Sequence, residues 1–97
     1  MPALRKVAPV ILKEILEAAG WSIYTESRLN WSLVNEQGIS LEIPKKGRLV
    51  AFQLLENALS QAELAPGDYF RLLETVQSNR RLIGLPEDGS ETHPRIH

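Results

Sequence analysis

Apolar and polar positions alternate with three different rhythms along this chain. From Pro9 the apolar residues Val10, Ile11, Ile15, Leu16 and Ala19 recur at helical spacing, with Lys13, Glu14 and Glu17 between them. Pro9 suits a first helical turn and Gly20 a C-terminal cap, so the pattern predicts a helix over 9–19. Trp21-Ser22-Ile23-Tyr24-Thr25 then alternates with aromatic and β-branched residues and predicts a strand, and Asn30-Trp31-Ser32-Leu33-Val34 predicts a second. Ile39-Ser40-Leu41-Glu42-Ile43 alternates strictly and is the clearest strand of the three. Asn35-Glu36-Gln37-Gly38 between the last two is a hairpin signal, with Gly38 able to take positive φ. Pro44 ends the third strand because it has no donor for the ladder.

After Pro44 the rhythm returns to the helical one. Phe52, Leu55, Leu59 and Ala62 fall on one face of a helix expected over Leu49–Leu64, with Leu54 and Ala58 beside them. Its start is open, since Leu49-Val50-Ala51-Phe52 also suits extended chain. Ala65-Pro66-Gly67-Asp68 breaks it, and Tyr69, Leu72, Leu73 and Val76 mark a third helix beginning near Gly67 or Asp68. Residues 1–8 are expected as a flexible lead-in, 9–80 as a single domain and 81–97 as a disordered tail, most clearly in the Gly-, Ser-, Glu- and Pro-rich Pro86–His97. The order α-β-β-β-α-α predicts an α+β fold of two layers. A three-stranded antiparallel sheet would carry the helices on one face, so that both apolar stripes share one core.

Composition narrows the chemistry. A chain of 97 residues, 43% apolar and 24% charged, fits one globular domain with a thin core. The absence of cysteine excludes disulfides and thiolate metal sites and fits a reducing, cytoplasmic setting. The opening MPALRKVAPVILKEIL has too short and too interrupted an apolar run for a signal peptide. No stretch approaches the roughly 20 apolar residues of a membrane span, so no membrane partner is expected. Net charge is −1, but it is unevenly spread. Arg28, Lys45, Lys46 and Arg48 face only Glu36 and Glu42 in the middle of the chain, whereas Leu49–Val76 carries four carboxylates against Arg71. A strong nucleic-acid binder usually shows a larger surplus than this.

Three stretches carry a resemblance. ILKEILEAAGW has the form of an opening helix closed by a glycine and an aromatic residue. NEQGISLEIPKK has that of a hairpin and last strand ending in a proline and a polar run. QLLENALSQAELAPGDYFRLL has that of a closing helix followed by a short one. Together they cover about residues 10–75 and resemble the HicA (YcfA-like) family, the small toxins of bacterial toxin–antitoxin pairs. The resemblance implies a fold like the double-stranded-RNA-binding domain and an mRNA-cleaving activity restrained by a cognate antitoxin. It also implies a catalytic histidine in a glycine-serine-histidine motif at the start of the second strand. Here that stretch reads Arg28-Leu29-Asn30, so Asn30 stands in the place of the histidine. The family's histidine after the strand-ending proline falls at Lys45 or Lys46.

That departure has a chemical consequence. Cleavage through a 2′-hydroxyl needs a group that exchanges a proton near neutral pH, which imidazole does and a side-chain amide does not. His93 and His97 lie in the expected tail, and with Glu91 they make no convincing metal cluster, so no metal or cofactor is expected. The expectation is therefore an RNA-binding protein of the toxin–antitoxin type, without catalysis. Any activity retained would be that of an mRNA endoribonuclease. Arg28, Lys45, Lys46 and Arg48 are its candidate phosphate contacts, although the same three cations after Pro44 also suit a solvated loop.

Trp21 and Trp31 suit base stacking but more often serve core or contact roles. Placed together on the outer sheet face, they would form an apolar patch for a partner or a second copy. Arg80-Arg81 is expected to follow the third helix and favour its C-terminus, and Asp68 and Glu74 to cap or solvate it. The alternative function is a small protein-interaction module or homodimer with no nucleic-acid role, motivated by the apolar run 49–64 and the two tryptophans.

Overall fold

The computed structural model describes residues 4–89. Its elements run α1 (Pro9–Ala18), β1 (Ser22–Glu26), β2 (Asn30–Val34), β3 (Ser40–Pro44), α2 (Phe52–Gln61) and α3 (Pro66–Leu82). The fold is α+β, with a three-stranded antiparallel sheet in the order β1-β2-β3. Among the described residues no helix is long and apolar enough to cross a membrane.

Local chemistry explains most boundaries. Pro9 occupies the first turn of α1, where its missing N–H costs nothing. The helix ends where Gly20 takes φ +105° and the Trp21 N–H reaches back to the Leu16 carbonyl at 2.9 Å, a closure that also tucks the Trp21 ring into the core. The β2–β3 hairpin closes on Asn35, whose Oδ1 accepts from the Gln37 and Ile39 N–H groups at 2.9 Å, while Gly38 sits at φ +84°. β1 carries a bulge between Ile23 and Thr25, so Tyr24 has no partner in the β2 register and stands exposed.

Strand parity decides what the sheet buries. Trp31 pairs with Ile43, and Leu33 with Leu41, on the face turned to the helices; Leu33 and Ile43 are fully buried there. The opposite face holds Asn30 beside Pro44, Ser32 beside Glu42 and Val34 beside Ser40. The two tryptophans therefore do not share an outer apolar patch, as the alternation had allowed. Trp21 precedes β1 and is buried, and Trp31 belongs to the inner face, half-buried against the core.

α1 lies across this inner face and α3 packs on α1. Ile11, Leu12, Ile15 and Leu16 of α1 are all but fully buried, joined by Leu55, Ala58 and Leu59 of α2 and by Tyr69, Leu73 and Val76 of α3. Residues expected as a loose lead-in contribute as well: Val7 and Ala8 are buried. The Val50 N–H donates to the Val7 carbonyl at 2.8 Å, which keeps residues 49–51 extended and delays α2 to Phe52. α3 starts earlier than its apolar spacing indicates, because Pro66 fits its first turn and the Ala65 N–H donates to Asp68 Oδ2 at 3.3 Å.

Arg80 and Arg81 do not follow α3 but form its last turn. Arg80 is buried and bonds Glu14 Oε2 of α1 at 2.7 Å and the Pro86 carbonyl at 2.6 Å; Arg81 forms an exposed pair with Glu87. The chain beyond α3, expected to be loose, folds back over the start of α1. A Cβ on Gly89 would lie 2.7 Å from Ile11 Cγ1 and 3.0 Å from Ala8 Cβ, so only glycine fits there. Residues 90–97 of the expected tail lie outside the described residues.

Tyr69 ties α3 to the N-terminal segment. Its ring is fully buried and its hydroxyl donates to the Arg5 carbonyl at 2.5 Å. Burial pushes the phenol pKa from 10.0 up to about 12. Between those values the unfolded chain has released a proton that the folded one keeps, so stability is expected to fall as pH rises from 10 to 12 and to be independent of this group below 10. Tyr69→Phe is expected to lose this slope and about 1 kcal/mol for the missing hydrogen bond. Urea melts of both proteins at several alkaline pH values check it.

Candidate nucleic-acid interface

One end of the sheet gathers the candidate cations. The β1–β2 turn is built by Ser27, whose Oγ accepts the Leu29 and Asn30 N–H groups at 3.1 and 3.0 Å. The Lys45 N–H donates to the Leu29 carbonyl at 2.8 Å, which lays this turn, with Arg28, against the segment leaving β3. Gly47 turns that segment at φ +97°, and Arg48 follows beside the N-terminal segment that Val50 pins. Arg28, Lys46 and Arg48 are exposed, and none has an ion-pair partner among the described residues.

Next to this cluster the start of α1, the 45–49 segment and the turn at Asp88–Gly89 enclose a groove of about 650 Å³. Pro9, Val10, Trp31 and Leu49 give it apolar walls; Lys45 and Arg48 give it positive charge, and Asp88 is also in its lining. The exposed Leu29 and Phe52 add apolar surface nearby in the chain.

Lys45 is not free in the loop. Its Nζ lies 2.5 Å from Glu26 Oε2 and 5.3 Å from the centroid of the Trp31 ring. Lys13 of α1 places its own Nζ 5.2 Å from the same ring and 3.6 Å from Glu17. The hydrogen bond and charge of Lys45 hold the Glu26 carboxyl below the usual carboxylate range, assisted by Lys13 and the Trp31 side chain. Glu26 is therefore a weakened base.

Of the residues singled out from sequence, Lys45 and Arg48 line the groove, Lys46 lies between them in the chain, and the Lys45–Leu29 bond sets the turn that carries Arg28 beside this segment. Asn30 pairs with Pro44 on the outer sheet face, across the sheet from Trp31 and the groove. His93 and His97 lie outside the described residues. Asp68 caps α3 and pairs with Arg71, and Glu74 is exposed on the same helix. Among the described residues no three histidines or carboxylates converge in a way that could hold a metal ion.

Lys13 and Glu26 are the members that sequence reasoning did not select. Lys13 looks like half of a solvated pair with Glu17. Glu26 had no signal in the alternation, because the bulge in β1 reverses parity after Ile23 and brings Glu26 opposite Trp31. Compared with known protein families, curated proteins and solved structures, the chain matches none of them.

Proposed function

We propose that this protein is a HicA-like, toxin–antitoxin-type RNA-binding protein that holds RNA without cutting it, working beside a cognate antitoxin. The observation that carries the reading is the groove lined by Lys45, Arg48 and Trp31, with the Lys45–Leu29 backbone bond laying the turn that carries Arg28 against the segment that carries Lys46. Cations with a half-exposed aromatic ring suit a flexible strand of RNA, because phosphates meet the charges and bases meet apolar surface. The element order α-β-β-β-α-α supports a likeness to the double-stranded-RNA-binding domain. Asn30 has no proton to exchange near neutral pH, and Glu26, beside Lys45, is a poor base. Both support binding without turnover.

Binding of a labelled single-stranded RNA, followed by fluorescence anisotropy across a salt series, tests this. Three to four phosphate contacts predict a log–log slope of about −2 to −3. Absence of binding at low salt would overturn the reading.

The second function is a protein-interaction module or homodimer. It is favoured by the exposed Leu82, Ile83 and Leu85 at the end of α3, at 83%, 71% and 44% exposure. Light scattering during size exclusion decides it: a strict monomer at high concentration removes the homodimer.

A further inference from the structure

Resting on the RNA-binding reading, we propose that Lys13 and Lys45, held over the Trp31 ring, form a specific phosphate site which the chain's own Glu26 carboxylate fills until a ligand displaces it. Three elements build this site: α1 supplies Lys13, β2 supplies Trp31 and the segment after β3 supplies Lys45. The two ammonium groups stand 5.2 and 5.3 Å from one indole centroid. The Glu26 carboxylate contacts Lys45 as a phosphate oxygen would, its Oε2 2.5 Å from Lys45 Nζ, while Lys13, itself 3.6 Å from Glu17, acts on Glu26 through its charge.

Charge and exposure set the direction of exchange. Glu26 is exposed at the end of an edge strand, so it can turn to water without burying anything. Lys13 and Lys45 are only partly exposed, their stems lying along apolar surface, and stay in place when the carboxylate leaves. A phosphate offers more acceptor oxygens and more negative charge than the carboxylate, so it competes for the ammonium groups that Glu26 now neutralises. Arg48, without an ion-pair partner among the described residues, lines the groove and is placed to take the next phosphate of a strand. Trp31 would sense the exchange because both cations lie on its ring, whereas Trp21 is buried and gives a constant background.

The experiment titrates the full chain with tripolyphosphate and, separately, with a short single-stranded oligoribonucleotide, reading tryptophan fluorescence. Wild type, Glu26→Gln and Lys13→Gln are compared, with circular dichroism as the check on folding. Both ligands are expected to change the emission. Glu26→Gln is expected to tighten both about three- to fivefold, by removing the internal competitor, and Lys13→Gln to weaken both by a similar factor. A Trp31→Phe variant is expected to bind with little fluorescence change.

Glu26→Gln binding no tighter than wild type would overturn the proposal, as would emission unmoved by either ligand. Should both glutamine variants hold the RNA as wild type does while Lys45→Glu/Lys46→Glu fails, this site falls and the RNA-binding reading stands. Should tripolyphosphate be captured with the expected variant pattern while RNA is not bound, the phosphate site stands and the RNA reading falls.

Discussion

Changing Lys45 and Lys46 together to glutamate is expected to weaken RNA binding at least about tenfold at moderate salt and to flatten the salt dependence by about two phosphate contacts. Lys46 is exposed and has no ion-pair partner among the described residues. Its loss therefore removes one screened attraction and its reversal adds one repulsion. Lys45 contributes more, because it lies between the groove and the Arg28 turn and over the Trp31 ring. A glutamate there would face Glu26, now 2.5 Å from the Lys45 ammonium, and two carboxylates would repel RNA at the groove mouth. Folding is expected to change little, since both residues follow the last strand and neither is in the apolar core. Anisotropy titrations of both proteins check the affinity and a thermal melt checks the fold. Unchanged affinity would remove the assigned surface.

Glu14→Ala is expected to cost about 3 kcal/mol of folding free energy, a large share of what a domain of this size possesses. The Arg80 side chain is only 8% exposed, between α1 and α3, and Glu14 is its one carboxylate partner among the described residues. Without Glu14 the guanidinium keeps its bond to the Pro86 carbonyl but remains a buried charge with no counter-ion. Glu14 is itself 26% exposed, which puts the cost at the lower end of what breaking buried pairs brings. For a domain this small the melting temperature is expected to fall by more than about 10 °C. Replacing both partners, as Glu14→Leu with Arg80→Met, is expected to recover most of the loss, since no unpaired charge is left inside. Urea melts of the single and double variants measure both effects.

The parts of the fold legible in sequence were those set by local chemistry. β2 lies where its alternation placed it, and the Asn35–Gly38 turn follows from an asparagine that bonds its own backbone and a glycine at positive φ. The start of α1 follows from Pro9. Boundaries set by distant partners were not legible. Leu49-Val50-Ala51 suits either the start of α2 or extended chain, and what decides it is Val7, 43 positions earlier in the numbering, which holds Val50 extended. Arg80 looks like half of a surface dibasic pair because its partner stands 66 residues away.

The same division runs through the candidate site. The cluster at 45–48 is a local run and was found as one. Lys13 and Glu26 entered only through packing, since nothing in the spacing of α1 states that its Lys13 will overhang a tryptophan of β2. Trp31 was open between the two sheet faces until register fixed its parity with Ile43.

Retention of intact RNA tests the central claim most directly. An end-labelled single-stranded RNA is incubated with saturating protein at low salt, and both its mobility and its length are read from the same sample. The account predicts a shifted RNA of unchanged length, because the surface offers cations and an aromatic ring where catalysis would need an exchangeable proton. RNA shortened with repeated turnover, or RNA that never shifts, would contradict it.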